Sequence, residues 1–258
     1  MSEIEQYYQS YDEWNRLERH KVEFDITKRY LDEFITGEEL AIFDVGGGPG
    51  RYAIYLAGKG HRVTLLDLTK EHLAIAKEKA GEAEVELAGY IHGNALALEG
   101  SAARYDTVLL MGPLYHLVDE ADRQKAVAEA VRVLKPGGLL VASFISSYAP
   151  IMETLLAPQT IESPEGLLNY LAQGNNDILT GFTTAYFSSH EEARDLMAGS
   201  GLTELAFAGV ENVLGLKEQE INALPETDYH KWLEIGYQLS KDPNVIGSSM
   251  HYLYIGRK

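Results

Sequence analysis

Five residues, Gly46-Gly47-Gly48-Pro49-Gly50, follow directly on the apolar run Ile42-Phe43-Asp44-Val45, and a helix-compatible stretch from Arg51 to Lys59 begins at once. A strand that stops at glycines and resumes as a helix makes a corner. Its bare backbone admits a ligand closely, and the amides that open the helix suit an anion or a polar head group. Gly60 to Asp67 reads as the next strand, and it ends in an acid. Asp67 lies about 20 residues beyond the glycines, where a carboxylate accepts both hydroxyls of a ribose. Together these residues point to a nucleotide-like cofactor, against the plainer reading of a glycine-rich turn. A second group with chemical reach is Met111-Gly112-Pro113-Leu114-Tyr115-His116-Leu117. An imidazole titrates near neutrality, so His116, with Tyr115 beside it, is a candidate general base; the alternative is a histidine that caps a helix or ties down a loop.

These groups need a scaffold that brings strand ends together. After Asp67, Thr69 suits the cap of a helix running to Lys79, with Leu73 and Ala76 toward the sheet and Gly81 ending it. Tyr90-Ile91-His92 and Tyr105 to Leu110 read as strands, Asp122 to Leu134 as an amphipathic helix, and Leu139 to Ile145 as a buried strand. Alternating strands and helices predict an α/β fold: a doubly wound, mostly parallel sheet with helices on both faces. Ligands then bind outside the carboxyl ends of the strands, where Gly46, Asp67, Asn94 and Met111 to His116 converge.

The flanks are less regular. Residues 1 to 36 carry Tyr7, Tyr8, Tyr11 and Trp14 among charges and suit two helices, the second over 23 to 34. From Ser146 to Phe187 the pattern loosens around Pro150, Pro158 and Pro164, with a turn at Gly174-Asn175-Asn176-Asp177. This insertion has short helices whose Met152, Leu155, Leu156, Leu168, Tyr170 and Tyr186 suit an apolar inner face. Ser188-Ser189-His190-Glu191 reads as a capping box for a helix to Ser200, which makes His190 structural. Leu202 to Glu211 and Met250 to Gly256 read as the last strands, the latter with the alternation of a hairpin edge. Between them, Lys217 to Ser240 gives one or two helices broken by Pro225.

At 258 residues and 45% hydrophobic content, one domain with a sizeable core is the simplest organisation. Lys plus Arg number 22 against 39 Asp plus Glu, a net charge of −17. That field repels phosphate backbones and anionic membrane surfaces, so neither nucleic acid nor membrane is an expected partner. The absence of cysteine removes disulfides, thiolate catalysis and thiolate zinc sites. No metal-ligand spacing such as H-E-x-x-H occurs, and no metal is expected. The start is acidic and polar, and no apolar run is long enough to span a bilayer, which predicts a cytoplasmic location.

The nicotinamide fingerprint fits poorly, because its first glycine would fall at Gly48, beyond the end of the strand. Read from the strand end, Asp44-x-Gly46-x-Gly48-x-Gly50 resembles motif I of the class I S-adenosylmethionine-dependent methyltransferases. Asn94-Ala95, Tyr105 to Leu110 and Val133-Leu134-Lys135-Pro136-Gly137-Gly138 resemble the family's later motifs, the last its turn into the fifth strand. The resemblance covers Leu40 to Ile145 well. It implies a Rossmann-like seven-stranded sheet with an antiparallel last strand. It also implies S-adenosyl-L-methionine as cofactor, with S-adenosyl-L-homocysteine as product. The cofactor would be held by Asp44, Gly46, Gly48, Gly50, Asp67, Leu68, Asn94, Ala95, Met111 and Gly112. Asn94 departs from the usual aspartate, and an uncharged acceptor makes a weaker bond.

In similar methyltransferases an N-terminal segment folds over the cofactor and shapes the acceptor pocket, so Tyr11, Trp14 and Arg16 are candidates for that lid; Tyr11 and Arg16 join the cofactor set, Arg16 facing the cofactor's carboxylate, with a solvated surface arginine its plain alternative. The G-P-L-Y-H-L string is found in similar small-molecule methyltransferases and would place Tyr115 and His116 near the transferring methyl. The implied division of a single domain is a helical cap at 1–36, a cofactor core at 37–145, a lid insertion at 146–187 and the rest of the sheet at 188–258. The implied function is methyl transfer to a small-molecule acceptor by a monomer or homodimer. The alternatives are another use of the same cofactor, such as cyclisation or transfer of another group, or a non-catalytic partner subunit of the same fold.

Overall fold

A computed structural model describes residues 3–158, 161, 163–174 and 183–258. Three helices precede the sheet, α1 (Glu3–Ser10), α2 (Arg16–Arg19) and α3 (Lys21–Phe34). Strands and helices then alternate through β1 (Ala41–Val45), α4 (Arg51–Gly58), β2 (Arg62–Asp67), α5 (Lys70–Glu82) and β3 (Gly89–His92), and after β3 come β4 (Tyr105–Leu110), α6 (Glu120–Val133) and β5 (Leu134–Ile145). The remainder is α7 (Ala149–Leu156), α8 (Glu165–Gln173), α9 (His190–Ala198), β6 (Thr203–Gly209), α10 (Glu218–Asn222), α11 (Glu226–Ser240) and β7 (His251–Arg257).

The strands form one seven-stranded sheet in the order β3-β2-β1-β4-β5-β7-β6. The first five are parallel, and β7 lies antiparallel between β5 and β6. This is the doubly wound Rossmann-like architecture that the alternation predicts. The direction of winding reverses between β1 and β4, which opens a crevice there at the carboxyl ends.

Side chains alternate across the sheet because successive residues of a strand point to opposite faces. Ile42, Leu65, Leu109, Val141 and Ile255 join one core with Val22, Ile26 and Tyr30 of α3 and Tyr229 and Tyr237 of α11. Phe43, Leu66, Val108, Leu110 and Leu140 join the other with Ala126, Val127 and Ala130 of α6 and Ala193 and Met197 of α9. The central strands are therefore buried on both sides, which their nearly unbroken apolar runs require. Phe43 stacks on Tyr105 at 4.5 Å, and truncating such a ring to alanine costs about 3–5 kcal/mol.

Several sequence expectations shift. Helix α5 runs through Gly81 to Glu82, and the chain leaves it through Glu84 at φ 54°. Thr69 precedes that helix without a side-chain cap, since its own amide is drawn to Asp67. The capping box of α9 is one residue later than read, pairing Ser189 with Glu192. Lys135 to Gly138 belong to β5 itself: Gly137 donates to the Lys258 carbonyl at 2.7 Å, so pairing with the end of the chain draws the string into the sheet. Strand β7 is interior, and the run Tyr252 to Gly256 is buried on both faces; β6 is the edge. In the 146–187 segment Met152 is buried, but Leu155, Leu156 and Leu168 face solvent, because α7 and α8 are too short to enclose two apolar faces. The turn expected at 174–177 falls, beyond Gly174, outside the described residues. No described helix is long and apolar enough to cross a membrane.

Candidate active site

The glycine corner is held by its neighbours' backbone. Gly46 and Gly47 donate to the Leu66 carbonyl at 2.7 and 3.3 Å, which ties the end of β1 to the end of β2. Asp67 closes the structure: Oδ2 accepts from the Gly48 amide and Oδ1 from the Thr69 amide, both at 2.8 Å. The buried carboxylate thus has a fixed orientation, with His72 Nδ1 3.4 Å from Oδ1. Gly48 adopts φ 56°, and the nearest atoms to an added Cβ would be Glu13 Cγ at 3.7 Å and His72 Nδ1 at 3.8 Å, so the space before it is open. Gly50 differs. At φ 86° it starts α4, and its Cβ position lies 3.2 Å from Ala76 Cβ and 3.3 Å from Leu65 Cδ2. It lets α4 pack on α5 and β2, a structural task rather than approach to a ligand.

Asp44 stands behind the loop. A Cβ on Gly47 would lie 2.3 Å from its Oδ2, so only glycine fits over it. Both carboxyl oxygens are buried with no hydrogen bond of normal geometry. Burial first, then the like charge of Asp67, pushes this carboxyl up to about 7, with only a weak counter-pull from the Ala53 amide.

From this corner opens a cavity of about 310 Å³. Its walls include Gly46 to Pro49, Asp67, Leu68, Asn94, Ala95, Met111 and Gly112, so the separate motifs do meet. Gly112 allows contact between the loops, because its Cβ would lie 2.4 Å from the Gly46 carbonyl oxygen. Asn94 is exposed, and its Oδ1 accepts from the Leu96 amide at 2.9 Å, a local turn that fixes the side chain. The same cavity is lined by Tyr8, Glu13, Arg16, Tyr52, Tyr115 and His116. Two anticipated residues are not in the described walls: Gly50 and Tyr11, the latter stacked on Tyr7 at 5.1 Å.

His116 is held at both nitrogens. Nδ1 lies 3.1 Å from the Thr184 carbonyl and Nε2 2.9 Å from the Tyr8 hydroxyl. A carbonyl only accepts, so Nδ1 carries the hydrogen and Nε2 accepts from Tyr8. Burial pushes this imidazole down to about 4, with the Thr184 bond and the charge of Asp67 opposing. It is neutral at physiological pH, with its basic nitrogen toward Tyr8. Burial likewise raises the Tyr115 hydroxyl, which stays protonated.

Arg16 is neither solvated nor alone. Nε donates to Glu13 at 2.9 Å, and the two terminal nitrogens donate to both oxygens of Glu23 at 2.7 and 3.0 Å. Burial would raise Glu23, but Arg16 foremost and His251 next bring it down to about 2. Sequence reasoning missed Glu13, Glu23, Gly47 and His72 as site residues, and gave Tyr8 no role beyond an aromatic helix. Only the unusual density of tyrosine in the first helix signals any of them.

A methyltransferase domain family matches residues 42–138 of the chain. The Ubiquinone biosynthesis O-methyltransferase of Paracidovorax citrulli is 36% identical over 137 residues, 53% of this chain and 54% of that one. The tRNA 5-carboxymethoxyuridine methyltransferase of Escherichia coli is 32% identical over 123 residues, 46% of each. The chain thus spans about half the length of these curated relatives. Among solved structures, the PH0226 protein from Pyrococcus horikoshii shares the fold with a TM-score of 0.65, at 16% identity and 98% coverage of both chains.

Proposed function

We propose that the chain is a class I S-adenosylmethionine-dependent methyltransferase that methylates a small-molecule acceptor, leaving S-adenosylhomocysteine. One observation carries this reading: the Gly48–Asp67 corner and the Tyr8–His116 pair line the same cavity. The residues fit the cofactor. Asp67 is a buried, pre-oriented carboxylate for ribose hydroxyls, Gly48 faces open space, and Asp44 is a buried carboxyl with no hydrogen bond of normal geometry among the described residues, whose charged form a nearby cationic group would favour.

In this reading Asn94 and the Ala95 amide border the adenine, and Leu68 packs beside Asp67. Gly46, Met111 and Gly112 border the amino-acid end, where Arg16 meets the carboxylate. Gly50 and Tyr11 act indirectly, through packing. When bound, the cofactor supplies a methyl on a sulfonium, already a good leaving group, so the protein contributes mainly position and exclusion of water. The acceptor's proton goes to His116 Nε2, directly or by way of the Tyr8 hydroxyl, whose own hydrogen then moves to Nε2. Nδ1–H stays on the Thr184 carbonyl and steadies the imidazolium.

The net charge of −17 and the small cavity favour a small acceptor over nucleic acid, in a cytoplasmic monomer or homodimer. Residues 1–36 serve as cap and 146–187 as lid on one domain. The test is calorimetry with S-adenosylhomocysteine and NADH, followed by methyl-labelled S-adenosylmethionine offered with small amines, phenols and bulk tRNA. Binding of S-adenosylhomocysteine alone and label in a small molecule are expected. Binding of NADH alone, or label in tRNA, overturns the reading, and label left in methylthioadenosine moves it to another use of the cofactor.

A further inference from the structure

Behind Arg16 lies a buried chain of alternating charge. Glu23, near the start of α3, holds the guanidinium with both oxygens. Its Oε2 is also 3.7 Å from Nδ1 of His251, the first residue of β7. His251 Nδ1 is hydrogen-bonded to Glu211, which follows β6. Glu211 is itself fixed: Oε2 accepts from the His251 amide at 2.9 Å and from the Ser249 hydroxyl at 2.8 Å. The donor atoms of Glu23, Glu211 and His251 lie within 4.8 Å of one another. Even so, they do not make an open cation cage, because Arg16 occupies both Glu23 oxygens and the backbone and Ser249 hold Glu211. A second pair flanks them, His20 Nδ1 to Glu218 at 3.0 Å, with Glu218 also accepting from the Val22 amide.

We infer that His251 is a positioning residue of the cofactor pocket, which through Glu23 sets the aim of Arg16 and how much of its positive charge is left to face a ligand. The inference rests on reading the cavity as the cofactor site. Arg16, Glu13, Glu23, His251 and Glu211 place two cations against three carboxylates while the imidazole is protonated. Without that proton one cation faces three carboxylates, Glu23 turns its whole charge on Arg16, and an anionic group entering the cavity meets a more negative wall. The geometry favours the protonated form. Burial opposes it, but Glu23 and Glu211 hold His251 up to about 9, with Arg16 working against them. The groups facing the imidazole are Glu23 from α3, Glu211 from the turn after β6 and Arg16 from α2, with His20 and Glu218 one contact further.

S-adenosylhomocysteine carries the relevant carboxylate and serves as probe in calorimetry from about pH 6 to pH 10. Its own amine titrates in that range, so wild type is compared with His251→Gln and His251→Lys at each pH. The expected loss in the Gln variant at neutral pH is about tenfold, the scale of one charge acting across roughly 10 Å at an effective dielectric constant of about 20. The gap to wild type should close as pH rises through 9, while His251→Lys keeps most of the affinity. Should the Gln variant fail to fold, wild type still decides: linkage is reciprocal, so saturating S-adenosylhomocysteine must raise the NMR titration midpoint of the His251 imidazole by the same factor. A Gln variant that binds like wild type, or an imidazole titration unmoved by the ligand, makes His251 a purely structural residue. Failure of wild type to bind S-adenosylhomocysteine overturns the cofactor reading and this inference with it.

Discussion

The Tyr8 hydroxyl lies 2.9 Å from Nε2 of His116, a bond between the first helix of the chain and the loop after β4. It places the basic nitrogen of His116 behind a tyrosine rather than facing the cavity alone. Tyr8→Phe and His116→Gln should each lower turnover, His116→Gln by about 10²–10⁴, the usual scale for a positioned base. The double variant should lose little more than the worse single one, because both act on one proton. Calorimetry with S-adenosylhomocysteine should show nearly unchanged affinity in all three. Additive losses would mean that the two residues act separately.

The pH behaviour of His116 follows from its burial. Its folded value is lowered to about 4 from an ordinary 6.5, so the unfolded chain binds the proton more readily. The stability tied to this group is therefore complete above about 6.5 and lost as pH falls toward 4. His116→Gln should flatten the melting temperature across that interval relative to wild type, as differential scanning calorimetry would show. A wild-type curve with the same slope as the variant would mean that this imidazole titrates normally.

Asp67 has two tasks. It accepts the Gly48 and Thr69 amides in the structure as it stands, and it is the proposed partner of the ribose. Asp67→Ala should weaken S-adenosylhomocysteine by about 1.5–3 kcal/mol, the scale of hydrogen bonds to a charged group, and should also cost stability because two amides lose their acceptor. Asp67→Asn removes the like charge beside Asp44 and should lower the Asp44 titration from its position near 7. Calorimetry and carboxyl NMR read the two effects separately, and affinity unchanged in Asp67→Ala would show that another group holds the ribose.

What the sequence displayed was local. The run Ile42 to Val45, the glycines after it and the acid at Asp67 each declare themselves within a few residues, because strand period, turn chemistry and strand-end position are short-range properties. The pairings that complete the site are not of that kind. Tyr8 and His116 stand 108 residues apart, and Glu23 meets His251 only because β7 inserts between β5 and β6. A surface arginine stood as the alternative for Arg16 because the carboxylate that holds it, Glu23, lies seven residues on, a spacing that also suits two exposed charges. Leu155, Leu156 and Leu168 were misplaced for the converse reason: a short apolar helix does not reveal whether its apolar face is covered.

Gly48 and Gly50 look alike in the sequence and should behave differently. Gly50→Ala forces a side chain into φ 86° and against Ala76 and Leu65, so it should destabilise by about 1–3 kcal/mol while the folded fraction binds S-adenosylhomocysteine normally. At Gly48→Val the added Cβ meets no protein atom closer than 3.7 Å, and the side chain enters the open space before the loop, although φ 56° strains a β-branched residue. It should cost stability as Gly50→Ala does, but unlike Gly50→Ala it should also abolish binding by the folded fraction, whose circular dichroism stays native. Normal binding by Gly48→Val would place the ligand elsewhere in the cavity.

The Glu23–His251 pair should give the stability curve two shoulders of opposite sign. Glu23 is lowered to about 2 from an ordinary 4.5, so its contribution is complete above about 4.5 and lost as pH falls toward 2. His251 is raised to about 9 from 6.5, so its contribution is complete below about 6.5 and lost as pH rises through 9. A plateau between these limits is expected, with its alkaline edge set by His251. Chemical denaturation at fixed ionic strength should find that His251→Gln removes the alkaline shoulder, because no imidazolium remains to deprotonate. The variant should also be less stable on the plateau, since Glu23 and Glu211 lose the cation between them and breaking one partner of a buried pair costs about 3–5 kcal/mol. High salt should change little of this, because a buried pair is poorly screened, whereas exposed pairs such as Lys231–Asp228 weaken. An alkaline shoulder that persists in His251→Gln would assign the titration to another group, with His20 beside Glu218 the next to test.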